Sequence, residues 1–140
     1  MKKYKIYLDD VREPLDHSWL CVDSYDAFVR IINFIGLENI EAISLDHDLG
    51  PSAIDEFYNN VSKNFQLNYD NIYEKTGLDC AKWLVSKAID SNIDLPQVYV
   101  HSANPIGSSN MMGYINSYLM SIDKPQTCVR IKIAHTIKKQ

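Results

Sequence analysis

Short apolar runs alternate with stretches of helical period along the chain. Tyr4-Lys5-Ile6-Tyr7-Leu8 is the first run and stops at Asp9-Asp10. A loop with Arg12, Pro14 and Trp19 leads to a second run, Leu20-Cys21-Val22. From Ser24, Phe28, Ile31, Ile32 and Ile35 fall at helical spacing, with Asp23 or Ser24 to cap the start and Gly36 to end it. The third run, Ala42-Ile43-Ser44-Leu45, stops at Asp46-His47-Asp48-Leu49-Gly50. A helix after Thr76-Gly77 buries Ala81, Leu84, Val85 and Ala88. The fourth run, Gln97-Val98-Tyr99-Val100, stops at His101-Ser102-Ala103-Asn104-Pro105. A helix beginning between Ser108 and Asn110 buries Met111, Ile115, Tyr118 and Leu119. The fifth run covers Thr127 to Ala134, with Val129, Ile131 and Ile133 alternating, and Thr136 to Gln140 reads as a frayed polar tail.

This alternation predicts one α/β domain over residues 1–140, a three-layer sandwich around a central parallel five-stranded sheet. With sheet order 2-1-3-4-5, the first, third and fourth strands are adjacent at the centre. Val11 to Trp19 reads as a loop where an α/β sheet of this order would place its first helix. Residues 51–75 break the alternation and read as an insertion after the third strand, a helical flap placed to cover whatever the Asp-His-Asp run binds. Its tyrosines suit stacking on nucleobases or packing the flap onto its own domain.

Composition narrows the function classes. The 140 residues are 46% hydrophobic and 23% charged, ordinary for a soluble globular domain. No apolar run reaches the roughly 20 residues of a membrane span, so no membrane partner is expected. Three cysteines without a CxxC pair point to a reducing cytoplasm rather than a disulfide framework. A formal net charge of −4 argues against duplex-DNA binding, which needs a basic footprint. It leaves open a small anion or a nucleic-acid end held through a metal.

The candidate chemistry is positional. Asp9-Asp10, Asp46-His47-Asp48 and His101-Ser102-Ala103-Asn104 each follow a strand. Ligands bind outside the carboxyl ends of strands in open α/β sheets, so these groups converge on one crevice. Its carboxylates call for a cation, and oxygen donors from Asp9, Asp10, Asp46 and Asp48 suit Mg²⁺ or Mn²⁺, while the histidines leave zinc or iron open. His101 and His47 are the candidate acid and base, their order open, because imidazoles titrate near neutrality. Asp48 either orients a histidine or completes the metal shell. Arg12 either holds a phosphate or pairs with Asp9 or Asp10. Gly107-Ser108-Ser109-Asn110 either presents helix N–H groups to an anion or only caps the helix. His17 and His135 lie away from these blocks and receive no role.

Taken together, LDDVREP, ISLDHDLG, TGLD followed by AKWL, and VHSANPIG followed by NM resemble the cyclic-phosphate-processing receiver-like domain family. The resemblance implies a flavodoxin-like, receiver-like domain that processes 2′,3′-cyclic phosphate ends of RNA in bacteria or their phages. Asp9 and Asp10 match a receiver's acidic metal-binding pair, Asp46 its phospho-accepting position, and Ser102 the small hydroxyl residue after the fourth strand. The Lys-Pro pair that ends a receiver's fifth strand is missing. Arg130 or Lys132 is placed to substitute for it, or to face solvent.

The leading expectation is a metal-assisted phosphoesterase acting on an RNA end or nucleotide with a cyclic phosphate. Asp46, His47, His101 and Ser102 would be catalytic, and Arg12, Asn104, Gly107, Ser108 and Asn110 would hold phosphate. The alternatives are a nucleotide-binding module without turnover, a signalling receiver phosphorylated on Asp46, and an inert scaffold. Tyr114 and Tyr118 leave a homodimer open.

Overall fold

The computed structural model describes residues 3–138. In chain order its strands are β1 (Tyr4–Leu8), β2 (Arg12–Pro14), β3 (Trp19–Val22), β4 (Ile40–Leu45), β5 (Gln97–Val100), β6 (Val129–Arg130) and β7 (His135–Ile137). Five of them form the parallel sheet in the order β3-β1-β4-β5-β6, the expected order once the short β2 is counted. The segment between β1 and β3 has no helix, as the loop pattern implied.

The helices are α1 (Tyr25–Ile35), α2 (Pro51–Glu56), α3 (Ser62–Asn64), α4 (Gly77–Ser91) and α5 (Pro105–Ser121). α1 starts where its sequence says: the Ser24 side chain accepts the Ala27 N–H, and Gly36 ends it at φ +92°. α4 opens with a reciprocal cap between Thr76 and Asp79. α5 begins earlier than expected, because Asn104 rather than Ser108 caps it and accepts the Gly107 N–H. Residues 51–64 are helical, with a wide π turn at Phe57–Val61 joining α2 to α3.

One core lies between the sheet and a single helix layer. Ile6, Leu8, Ile43, Leu45, Val98 and Val100 pack with Phe28 and Ile32 of α1, Leu84 of α4 and Met111 of α5. The alternate strand positions, Lys5, Tyr7, Ser44 and Tyr99, face the other way. There Trp19 is met edge-on by the Tyr7 ring at 6.1 Å and covered by the Lys5 ammonium at 4.7 Å. The expected three-layer sandwich is therefore corrected to one helix layer among the described residues. Among the described residues no helix stands between β1 and β3 and none follows β6, so no helix lies on the opposite face.

The fifth strand is also shorter than its alternation predicts. It has one neighbour, β5, and after Ile131 the chain leaves the sheet. The expected frayed tail instead forms β7, which pairs antiparallel with β2, Arg12 opposite Ile137 and Pro14 opposite His135. Residues 139–140 lie outside the described chain. No helix among the described residues is long and apolar enough to cross a membrane.

Gly77 ties α4 to the end of β4: its N–H bonds the His47 carbonyl at 2.9 Å, and a Cβ there would overlap the Asp46 carbonyl. Gly77→Ala is expected to cost about 2–3 kcal/mol or more in urea unfolding. Gly113→Ala, with nothing within 4 Å of the added carbon, should stabilise α5 by about 0.5–1 kcal/mol. Equal effects at both positions would contradict the packing described for Gly77.

Candidate active site at the carboxyl ends of the strands

β1, β4 and β5 run side by side, so the polar blocks after them meet at one edge. Asp9 is fully buried; its Oδ1 accepts the N–H groups of Val11 and Arg12, each at 2.9 Å. Its Oδ2 accepts Arg12 Nε at 2.7 Å and His101 Nε2 at 3.1 Å. Arg12 Nη2 lies 3.3 Å from Asp46 Oδ1, so one guanidinium spans two carboxylates. In this structure Arg12 pairs with Asp9 and Asp46.

Ligand oxygens of Asp9, Asp10 and Asp46 all lie within 4.8 Å of one another. Burial first, then the Asp9 charge, push the Asp46 carboxyl up to about 8, against the pull of Arg12. The same two causes raise Asp10. Burial would raise Asp9 too, but hydrogen bonds from His101, Val11 and Arg12 hold it below its ordinary value. Two of three clustered carboxyls are thus short of positive charge, which Arg12 alone does not supply. This donor set fits a divalent cation.

Asp48 lies outside that trio but lines the same crevice of about 270 Å³, together with Asp10, Arg12, Asp46, Phe57 and Tyr58. Phe57 and Tyr58 come from the helical segment after β4. Asp48 Oδ1 accepts His47 Nδ1–H at 2.7 Å and Asn104 Nδ2 at 3.3 Å. His47 is fully buried, and its Nε2 accepts the Tyr69 hydroxyl at 2.9 Å. Asn110 in turn donates to that hydroxyl at 3.0 Å. Gly107 lies against the His47 ring, where a Cβ would collide.

His101 is 8% exposed and stacks on Tyr7 at 4.2 Å. Its Nδ1 meets Ser44 Oγ at 2.6 Å. Burial pushes this imidazole below its usual value, and the bond to Asp9 only partly offsets that. Ser102 lines the acidic crevice, and its hydroxyl accepts the Asn104 N–H at 3.1 Å. Of the residues expected to hold phosphate, Arg12 faces the crevice. The Ser108 N–H bonds the Asn104 carbonyl at 2.8 Å and its hydroxyl the Ser102 carbonyl at 3.2 Å. Asn104, Gly107, Ser108 and Asn110 therefore support the start of α5 and the His47 network.

Three contributors were missed from the sequence. Ser44 is a polar residue in an apolar strand, which was a readable signal. Tyr69 is among the tyrosines expected to stack on a base or to pack the flap, and its bond to His47 is the unforeseen part. Lys138, in the supposed tail, donates its ammonium to the Asp9 carbonyl at 2.7 Å, and no local pattern announces it.

The family described as "Cyclic-phosphate processing Receiver domain" matches residues 4–117. The chain belongs to that family. Comparisons with curated proteins and with solved structures found no match. The matched residues of this receiver-like domain end within α5, before β6 and β7.

The raised Asp46 value has a sign that can be checked. A carboxyl with a raised value in the folded state binds its proton more tightly there than in the unfolded chain. It stabilises the fold below about pH 4, and that contribution is lost as the pH climbs toward about 8. In chelator, Asp46→Asn should therefore melt about 5 °C or more above wild type at alkaline pH. The gap should close toward pH 4 in a series of thermal melts; an alkaline wild type as stable as the variant would refute the assignment.

Proposed function

We propose that this chain is a metal-assisted phosphoesterase that opens 2′,3′-cyclic phosphate ends of RNA or nucleotides. The observation that carries this is the Asp9–Asp10–Asp46 trio with His101 hydrogen-bonded to one of its members. The family's description, cyclic-phosphate processing, supports the substrate chemistry. Hard oxygen donors favour Mg²⁺ or Mn²⁺, which when bound polarises the phosphoryl oxygens and offsets their developing charge.

Opening adds water across one P–O bond: the water oxygen joins phosphorus, one ribose oxygen leaves, and a 2′- or 3′-monophosphate results. His101 is the base. Burial holds it unprotonated at neutral pH, and the Ser44 hydroxyl, able to donate or accept, lets the ring proton sit on either nitrogen. The step needs the ring proton moved to Nδ1 and the bond to Asp9 broken; Nε2, so freed, takes the proton of the attacking water. Asp48 faces the crevice and His47 is sealed behind it, so this pair, having taken up one proton from solvent, hands it through Asp48 to the leaving ribose oxygen, and the proton left on His101 returns to solvent. Arg12, on the crevice wall, holds the phosphoryl group.

End-group conversion of a short RNA with a 2′,3′-cyclic phosphate should require Mg²⁺ or Mn²⁺. Asp46→Asn and His101→Ala should each lower kcat by about a hundredfold or more. The acid limb of kcat/KM should lie below pH 6.5, the direction in which burial moves His101, giving a bell-shaped profile. No conversion with either metal, or a flat profile, would sink the mechanism. The same trio also suits a receiver that takes a phosphoryl group on Asp46. A hydroxylamine-labile adduct formed from acetyl phosphate, without end-group conversion, decides for that reading.

A further inference from the structure

The sheet face without helices holds a second cleft at its carboxyl edge. Its volume, about 600 Å³, falls within the roughly 300–1,000 Å³ of small-ligand sites. The floor is the Tyr7–His101 stack, and the rim carries Arg12, Arg130, Lys132 and His135. Among the described residues no carboxylate side chain lines it, in a chain whose formal net charge is −4. Positive charge has been sorted onto this one concave surface.

Arg12 is committed to Asp9 and Asp46, but the other two cations of the rim are unspent. Among the described residues, neither Arg130 nor Lys132 is in a salt bridge. Arg130 Nη2 reaches only the Ser102 carbonyl, at 3.4 Å. The cleft also adjoins the acidic crevice: Arg12, Ser102 and Ala103 form a wall common to both. A polyanion whose end lies in the crevice would cross that wall into the cationic cleft. Arg130, Lys132 and His135 all follow the residues that match the family.

We propose that this cleft binds the phosphodiester adjoining the reacting end, making the substrate class single-stranded RNA of two or more nucleotides rather than a free mononucleotide. The proposal rests on the phosphoesterase reading of the neighbouring crevice. Arg130 and Lys132 contact backbone phosphate, so binding is sequence-tolerant and weakens with salt.

Fluorescence anisotropy of a labelled tetraribonucleotide with a plain 3′-hydroxyl end, in chelator, reads the cleft apart from the reaction. Arg130→Gln with Lys132→Gln should weaken binding at least tenfold at low salt. It should also flatten the plot of log affinity against log salt by about 1.4, each single-strand phosphate contact contributing about 0.7. Arg130→Lys with Lys132→Arg keeps both charges and should keep the wild-type slope, so a general loss of fold is distinguished. Equal binding by wild type and the glutamine pair, or binding indifferent to salt, overturns the proposal.

Turnover is measured separately on a mononucleoside 2′,3′-cyclic phosphate and on a tetranucleotide with the same end. A lower KM for the tetranucleotide supports the cleft. Equal KM values overturn it and leave the phosphoesterase reading standing. No turnover on either, with charge-dependent RNA binding retained, supports the cleft and overturns the phosphoesterase reading instead.

Discussion

The site is organised around one buried carboxylate, Asp9. An ionised group taken out of water is tolerated only where hydrogen bonds and opposite charge replace its hydration. Asp9 obtains both from two backbone N–H groups, the Arg12 guanidinium and the His101 ring. Those bonds also set the local path of the chain. Accepting from Val11 and Arg12 turns it sharply away from β1, where a receiver would start a helix, and sends β2 across to pair with β7. Lys138 then closes the arm onto the Asp9 carbonyl.

The neighbouring carboxylates receive less. Arg12 is shared, and its contact with Asp46 is longer than that with Asp9, 3.3 Å against 2.7 Å. Asp46 is nearly as buried, so it is held in a state that favours either a proton or a further cation. Such an imbalance disfavours a purely structural role, since a satisfied ion-pair network would leave no carboxyl displaced upward. The His47–Asp48 pair is different: every polar atom of His47 has a partner, and its rigidity comes from Tyr69, Asn110 and the close approach of Gly107.

Loss of helices from one sheet face follows from the same rearrangement and has a chemical consequence. Parallel sheets are usually covered on both faces by helices. Here Lys5, Tyr7, Ser44 and Tyr99 occupy the side without helices, and the segment ending in β7 reaches its carboxyl edge at Asp9. A basic cleft therefore adjoins an acidic crevice with Arg12 on the wall between them. Opposite fields so close together suit a ligand that brings both a metal-binding end and further phosphates.

Much of this was legible in the residues. The apolar runs, the acid and imidazole blocks that halt them, and the caps at Ser24 and Thr76 are local features, and they located the five strands of the parallel sheet, α1, α4 and the crevice, but not the β2–β7 pair. The alternation in YKIYL and QVYV also carried the news that one sheet face is not aliphatic, since a strand buried between two helix layers is apolar on both sides. What no local pattern held were contacts between distant segments. Arg12, expected beside Asp9, reaches Asp46 as well, Tyr69 reaches His47, and Lys138 returns to Asp9 across 129 positions. A strand's period records which way a side chain points. Its partner depends on how the whole chain closes, and only the tertiary structure decides that.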